Sequence, residues 1–282
     1  MVESQKRVLA IHDISCVGKC SLTVALPIIS ATGIEVPGLP TAVLSTHTGG
    51  FTGFTYRDLT EDMIPILNHW KSLDLQFEGI YTGFLGSFEQ IDIVCKIIDE
   101  VGKNAMVFVD PVMADNGKLY PIFPENFPEG MKRLCSRADI ILPNITEASL
   151  MLGREYVNGP YTKEYIEDLL RALSELGPSK VVLTGVFFED DKLGAACFDS
   201  KTGKISYAFA EKIPGYYHGT GDVFSSVVVG AVMNGQPLDR AVEIAVDFTQ
   251  KSITRTYEAG TDVRYGVNFE AGIPRLLKQL GL

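Results

Sequence analysis

The segment from Gly79 to Pro111, GIYTGFLGSFEQIDIVCKIIDEVGKNAMVFVDP, holds a strand, a helix and a second strand in one stretch. Gly79 to Thr82 is a short apolar run. Ile91, Val94, Cys95 and Ile98 then recur at helix spacing, and Met106 to Val109 is a strand that runs straight into Asp110 and Pro111. Repetition of such units builds a mostly parallel sheet covered by helices on both faces. The rhythm continues towards the N-terminus, with strands at Arg7 to Ile11 and Thr41 to Leu44 and helices through Leu22, Ala25, Leu26 and Ile29 and over Thr60 to Lys71. It continues towards the C-terminus with strands Ile140 to Leu142, ending at Pro143 and Asn144, and Val181 to Leu183, ending at Thr184 and Gly185.

After Gly185 the rhythm changes. Leu193 to Phe198 and Ile205 to Ala210 flank Asp199 to Lys204 with no helix between them, which predicts a hairpin added to the sheet. Helices are expected at Gly221 to Met233, at Leu238 to Thr256, and near the C-terminus through Ile273 and Leu280. There is no repeat, low-complexity stretch or Gly/Ser linker in the 282 residues, so a single domain over 1–282 is expected.

Composition narrows the function. The 46% hydrophobic and 21% charged content is that of a globular chain, not a disordered one. With 25 Lys plus Arg against 35 Asp plus Glu, the net charge of -10 disfavours duplex nucleic acid and anionic membranes as partners. No apolar run approaches the ~20 residues needed to cross a bilayer. Met1 to Arg7 is polar, so no signal peptide is expected. Five scattered cysteines, an odd number, suit a reducing compartment, and a cytoplasmic location is the expectation.

Open α/β sheets bind ligands beyond the carboxyl ends of their strands. The residues expected just after strands here are His12 and Asp13, Thr82 and Gly83, Asp110, Asn144, and Thr184. Each is a turn former or a ligand contact, and their recurrence at successive strand ends favours the second reading. The most informative segment is His218-Gly219-Thr220-Gly221-Asp222-Val223-Phe224-Ser225-Ser226, which opens an apolar helix. Its glycines let several N–H groups point outward at a helix N-terminus, which makes an anion site fit for phosphate. Asp222, in the first turn, is either a cap that stabilises the helix dipole or a base that takes a proton from an attacking hydroxyl.

Two other phosphate motifs fail. Gly18-Lys19 looks like the end of a Walker A loop, but Cys20 replaces its Ser/Thr and Asp13 its first Gly. Gly219-Thr220-Gly221 starts a dinucleotide fingerprint, but Phe224 replaces the third Gly and the segment follows a late hairpin. His12, Cys16 and Cys20 are spaced at fours. Gly18 interrupts any helix through them and no CxxC or fourth partner lies nearby, which disfavours zinc.

Gly219-Thr220-Gly221-Asp222 resembles the anion-hole signature of the ribokinase superfamily. Thr82-Gly83-Phe84-Leu85-Gly86-Ser87, Asp110-Pro111-Val112-Met113 and Pro143-Asn144-Ile145-Thr146-Glu147, in this order, resemble its pyridoxal kinase branch. The stretches His12 to Pro27 and Ser45 to Gly53 are similar to bacterial pyridoxamine kinases. The resemblance covers nearly the whole chain. It implies a ribokinase-like sandwich and ATP-dependent phosphorylation of the 5'-hydroxymethyl group of a B6 vitamer, pyridoxal, pyridoxine or pyridoxamine.

By the same resemblance Asp222 is the catalytic base, and the N–H groups of Gly219, Thr220 and Gly221 hold the γ-phosphoryl oxygens. Asp110 and Glu147 organise Mg²⁺ through water, with room for a monovalent cation such as K⁺. Asn144 and Thr184 contact the nucleotide phosphates. Thr48, beside His47, reaches the pyridine substrate, Phe84 gives it an apolar face, and Asp13 or Ser15 bonds its ring. A homodimer is implied. The chain departs from the pattern at Phe84, where the family often has Tyr, at Thr184, where some members have Lys, and around Asp13 to Gly18, where the loop is about one residue shorter. Two other functions are compatible with these residues: a hydroxymethylpyrimidine kinase of thiamin metabolism, and a vitamer- or nucleotide-sensing protein without turnover. Retention of Asp222 with both flanking glycines argues against a sensor. Ala114 to Asn126, rich in turn residues and carrying Lys118 and Tyr120, is expected to be a flap over the site or an ordinary surface loop.

Overall fold

A computed structural model of the chain describes residues 5–282, so the beginning of the polar stretch Met1 to Arg7 lies outside the described residues. β1 (Val8–Ser15), α1 (Leu22–Ala31), β2 (Gly38–Leu44), β3 (Tyr56–Asp58), α2 (Thr60–Ser72), β4 (Gly79–Thr82), α3 (Phe88–Val101) and β5 (Met106–Val109) form the first half. A two-stranded ribbon follows, β6 (Ala114–Asp115) and β7 (Lys118–Leu119), then α4 (Phe127–Cys135), β8 (Ile140–Ile141), α5 (Ile145–Met151), α6 (Lys163–Ser174) and β9 (Lys180–Val186). The hairpin β10 (Lys192–Asp199) and β11 (Lys204–Glu211) leads into α7 (Thr220–Met233), α8 (Leu238–Glu258) and α9 (Ile273–Leu280).

The main sheet runs β11-β10-β9-β8-β5-β4-β1-β2-β3. From β9 to β2 all neighbours are parallel. The hairpin and β3 pair antiparallel at the two edges. Val8, Leu9, Ala10 and Ile11 are all fully buried, as expected for a parallel strand covered on both faces. Their period of two sends Leu9 and Ile11 to the layer of α2 to α6, and Val8 and Ala10 to the layer of α1, α7, α8 and α9. The single-domain α/β sandwich with an added hairpin therefore stands as read from the sequence. No helix among the described residues is long and apolar enough to cross a membrane.

Two of the strand-end expectations are corrected. His12 and Asp13 lie inside β1, because a register shift between His12 and Ile14 lets the strand go on pairing with β2 through Ser15 and Leu44. Thr184 lies inside β9, which the hairpin prolongs by pairing Ala195 with Thr184 and Gly194 with Val186. The sequence reading also omitted β3, the ribbon and α4 to α6. The ribbon had a signal: Asn116 and Gly117 adopt φ 51° and 76°, the double positive φ of a two-residue hairpin turn. Because β1 lies between β2 and β4, the chain leaves it to one side and returns on the other, and the carboxyl ends of the central strands open at that switch point.

Candidate active site

The anion loop is built by glycine geometry. Gly219 caps α7 with φ 73°, and a Cβ there would lie 2.0 Å from the Lys19 carbonyl oxygen. Only glycine allows that approach. Thr220, Gly221 and Asp222 form the first turn, where N–H groups have no partner inside the helix, and Gly221 is exposed. Lys19 backs the loop with its main chain alone. Its ammonium points to the Val267 carbonyl (3.2 Å), Asn268 Oδ1 (3.1 Å) and Glu270 (3.1 Å), so it is not a phosphate lysine.

Three carboxylates influence one another pairwise on this side, Asp222 acting on Asp110 and Asp110 on Glu147. Asp222 is partly buried, while Asp110, directly after β5, and Glu147, in the first turn of α5, are 7% and 3% exposed. Ser225 donates to Asp110 Oδ2 at 2.8 Å. Glu147 completes a capping box: Asn144 Oδ1 accepts from the Glu147 N–H, and the Asn144 N–H donates to Glu147 Oε2, both at 2.9 Å. The Met113 N–H donates to Glu147 Oε1 at 3.1 Å. Burial pushes the Asp222 carboxyl up to about 7, with the Ser21 backbone N–H pulling the other way and the charge of Asp13 adding to the rise. Asp110 is raised by burial and by Asp222, and Glu147 well above the usual range by burial and by Asp110.

Buried carboxylates that raise one another are relieved by a cation, and an all-oxygen donor set suits Mg²⁺. No group of three or more ligating side chains stands together among the described residues, so water or phosphate oxygens have to complete such an ion's shell. Asn144, between β8 and α5, and Thr184 of β9 are bridge partners. Asn144 Nδ2 donates to the Ala114 carbonyl at 2.9 Å, and the partly buried Thr184 hydroxyl to the Pro143 carbonyl at 3.4 Å.

Asp13, whose charge reaches Asp222, accepts from the Ser21 hydroxyl (2.6 Å) and from the Ser15 hydroxyl (3.0 Å). Asp13 and Ser15 are therefore one buried pair. Ser21, which sequence reasoning missed, stands just before α1 with φ 55° and gave no motif signal. The Gly49 N–H donates to His47 Nδ1 at 3.1 Å, so the hydrogen-bond network assigns the His47 proton to Nε2, which donates to the Arg264 carbonyl at 2.6 Å. The His218 ring stands 5.1 Å from His47. Thr48 is exposed on the loop between β2 and β3. Phe84 is partly buried, its ring 5.7 Å from Phe123.

His12 belongs to the core. It is fully buried, edge-on to Tyr81 at 4.4 Å, with both ring nitrogens unpartnered, and burial lowers it to about 3, so it is neutral. Cys16 is exposed and Cys20 buried, so the spacing at fours gathers no ligand set.

The architecture recurs in known proteins. The family model described as phosphomethylpyrimidine kinase matches residues 29–267. A protein of Bacteroides thetaiotaomicron VPI-5482 that carries the phosphomethylpyrimidine kinase name, solved in a form with pyridoxal, is 37% identical with a TM-score of 0.91, over 99% of this chain and 96% of its own. Pyridoxal kinase from Lactobacillus plantarum is 32% identical with a TM-score of 0.89, over 98% of both chains. Pyridoxal kinase of Arabidopsis thaliana is 28% identical over 263 residues, 89% of this chain and 82% of that protein. With the family match running over most of the sheet and its helices, the chain belongs to the phosphomethylpyrimidine kinase family, in the pyridoxal kinase branch of the ribokinase-like superfamily.

Proposed function

We propose that this protein transfers the γ-phosphoryl group of ATP to the 5'-hydroxymethyl group of a B6 vitamer. The observation that carries the reading is the position of Asp222. It stands in the first turn of α7, where N–H groups have no partner inside the helix, and near enough to Asp13 for that charge to raise its carboxyl. A carboxyl raised by burial to about 7 is matched to accepting the hydroxyl proton at neutral pH. The hydroxyl oxygen attacks the γ-phosphorus, its proton passes to Asp222, and ADP leaves. The first-turn N–H groups receive the charge that gathers on the equatorial oxygens.

Asp110 and Glu147 are the residues to hold Mg²⁺, which when bound neutralises phosphate charge and orients the transferring group. On the substrate side, Asp13 with Ser15, and His47 fixed as the Nε2-H tautomer, face a polar ring, with Phe84 as an apolar wall. Hydroxymethylpyrimidine is the second substrate to consider, since the family description names a kinase of a related pyrimidine, phosphomethylpyrimidine, and the anion site would serve both. The test incubates the protein with ATP, Mg²⁺ and each of pyridoxal, pyridoxine, pyridoxamine and hydroxymethylpyrimidine, and detects the phosphorylated product by mass. A 5'-phosphate of a B6 vitamer is expected. Binding without turnover would make the protein a sensor, and product from hydroxymethylpyrimidine alone would move it to thiamin chemistry.

A further inference from the structure

One hydrogen bond joins the ribbon to the segment that leads into the anion loop. The Tyr216 hydroxyl donates to Asp115 Oδ2 at 2.5 Å. Tyr216 precedes the anion loop by three residues, and Asp115 ends β6 in the ribbon that follows the Asp110 segment. Among the described residues no other hydrogen bond links the ribbon to segment 214–219.

The ribbon is fastened differently at its inner side. There Asn144 Nδ2 holds the Ala114 carbonyl at 2.9 Å and Thr146 Oγ1 accepts from the Gly117 N–H at 3.0 Å, both from the start of α5. The second oxygen of Asp115 accepts from the Asn116 N–H at 2.8 Å, so both oxygens of this carboxylate are engaged. On the other flank the Tyr216 ring packs edge-on to His218 at 5.1 Å, and His218 lies 5.1 Å from His47. One line of rings therefore runs from the substrate loop to Tyr216, whose hydroxyl then reaches the ribbon.

We infer that Tyr216 is a positioning residue that holds the ribbon Ala114–Leu119 against the anion loop and so keeps water from the transferring phosphoryl group. The inference rests on the proposed kinase reaction for its consequence, though not for its geometry. Opening the ribbon admits water to the place of the vitamer hydroxyl. A water oxygen then bonds to the γ-phosphorus, the bridging P–O bond to ADP breaks, and the water proton goes to Asp222. ATP is consumed without phosphorylated vitamer.

Tyr216→Phe removes the hydroxyl and keeps the ring against His218. In the ligand-free protein, amide exchange over residues 114–119 should quicken about fivefold, the effect of losing a hydrogen bond of ordinary net strength, with exchange in α7 and α8 unchanged. Asp115→Asn retains an acceptor oxygen and should stay near the wild type, whereas Asp115→Ala, which also frees the Asn116 N–H, should quicken exchange at least as much as Tyr216→Phe. With ATP, Mg²⁺ and vitamer present, the ratio of ADP formed to vitamer phosphorylated should rise above one in Tyr216→Phe. Unchanged exchange in Tyr216→Phe, or a ratio that stays at one, overturns the inference. A wild-type protein that phosphorylates no vitamer overturns the kinase reading instead, and the exchange result still decides whether Tyr216 holds the ribbon.

Discussion

Ser225 Oγ donates to Asp110 Oδ2 at 2.8 Å, a bond made with 1% exposure on the serine and 7% on the aspartate. Ser225 lies three residues after Asp222 on α7, so one helix carries both the carboxylate nearest the anion loop and the clamp on a carboxylate of another strand. Residues three apart share a helix face. The bond therefore ties the first turn of α7, with the proposed base, to the proposed metal side, and it lowers the Asp110 carboxyl against the burial and the Asp222 charge that raise it.

Ser225→Ala should leave Asp110 buried and short of a donor. Hydrogen bonds to charged groups contribute about 1.5 to 3 kcal/mol, so the Mg²⁺ concentration for half-maximal rate should rise about tenfold. A Mg²⁺ titration that superimposes on the wild type would show that Asp110 is held without Ser225.

Asp222→Asn keeps size and much of the capping ability while removing the base. We expect kcat to fall by on the order of 10² or more with vitamer affinity little changed. For the wild type, kcat/KM should rise with pH through about 7, where Asp222 loses its proton. Stability has the opposite sign. A carboxyl raised above its unfolded value stabilises the fold at low pH, and that contribution is lost as pH rises through about 7. The ligand-free wild type should therefore lose more Tm between pH 5 and pH 8 than Asp222→Asn does. Parallel Tm curves would assign the acid limb to another group.

The parallel sheet was legible because Gly79–Thr82 and Met106–Val109 are bounded by turn residues and coincide with the strands found. Asp13 and Thr184 were misplaced relative to their strands because strand length there is set by partners far along the chain, Leu44 for the one region and Ala195 for the other. The anion loop and the three carboxylates could be found because glycines at a helix start and acids after strands have local signatures. The Ser21–Asp13, Ser225–Asp110 and Tyr216–Asp115 bonds have none. Each joins a hydroxyl for which the sequence offered no role, even Ser225 within the quoted helix start, to a carboxylate brought beside it by folding.

Gly83 illustrates the same limit. Its place after β4 reads as a ligand contact, yet a Cβ there would lie 2.1 Å from His12 Nδ1. The glycine makes room for a buried imidazole. Gly83→Ala should lower Tm by roughly 3 to 10 °C through overpacking of about 1 to 3 kcal/mol. A variant with unchanged Tm would mean that the His12 ring moves aside freely.

The Asp13–Ser15 pair should decide substrate preference. Both carboxylate oxygens already accept hydroxyl bonds, from Ser21 and from Ser15, so Asp13 is held in one orientation, and burial raises its carboxyl while those bonds oppose the rise. A site built to bond ring substituents rejects an analogue that lacks them, because its own polar groups are then left unpaired at about 1 to 3 kcal/mol each. Hydroxymethylpyrimidine differs from the vitamers in its ring nitrogens and lacks the phenolic hydroxyl, so kcat/KM for the preferred vitamer should exceed that for the pyrimidine about tenfold or more. Among the vitamers, the negative Asp13 should favour the cationic aminomethyl group of pyridoxamine over the aldehyde of pyridoxal. Asp13→Asn keeps an acceptor for Ser21 and removes the charge, so it should erase the preference for pyridoxamine while sparing the preference for a pyridine ring. Side-by-side kcat/KM values test both steps: equal efficiency on the pyrimidine would deny the pair a role in selecting the ring, and a pyridoxamine preference that survives Asp13→Asn would place its origin elsewhere.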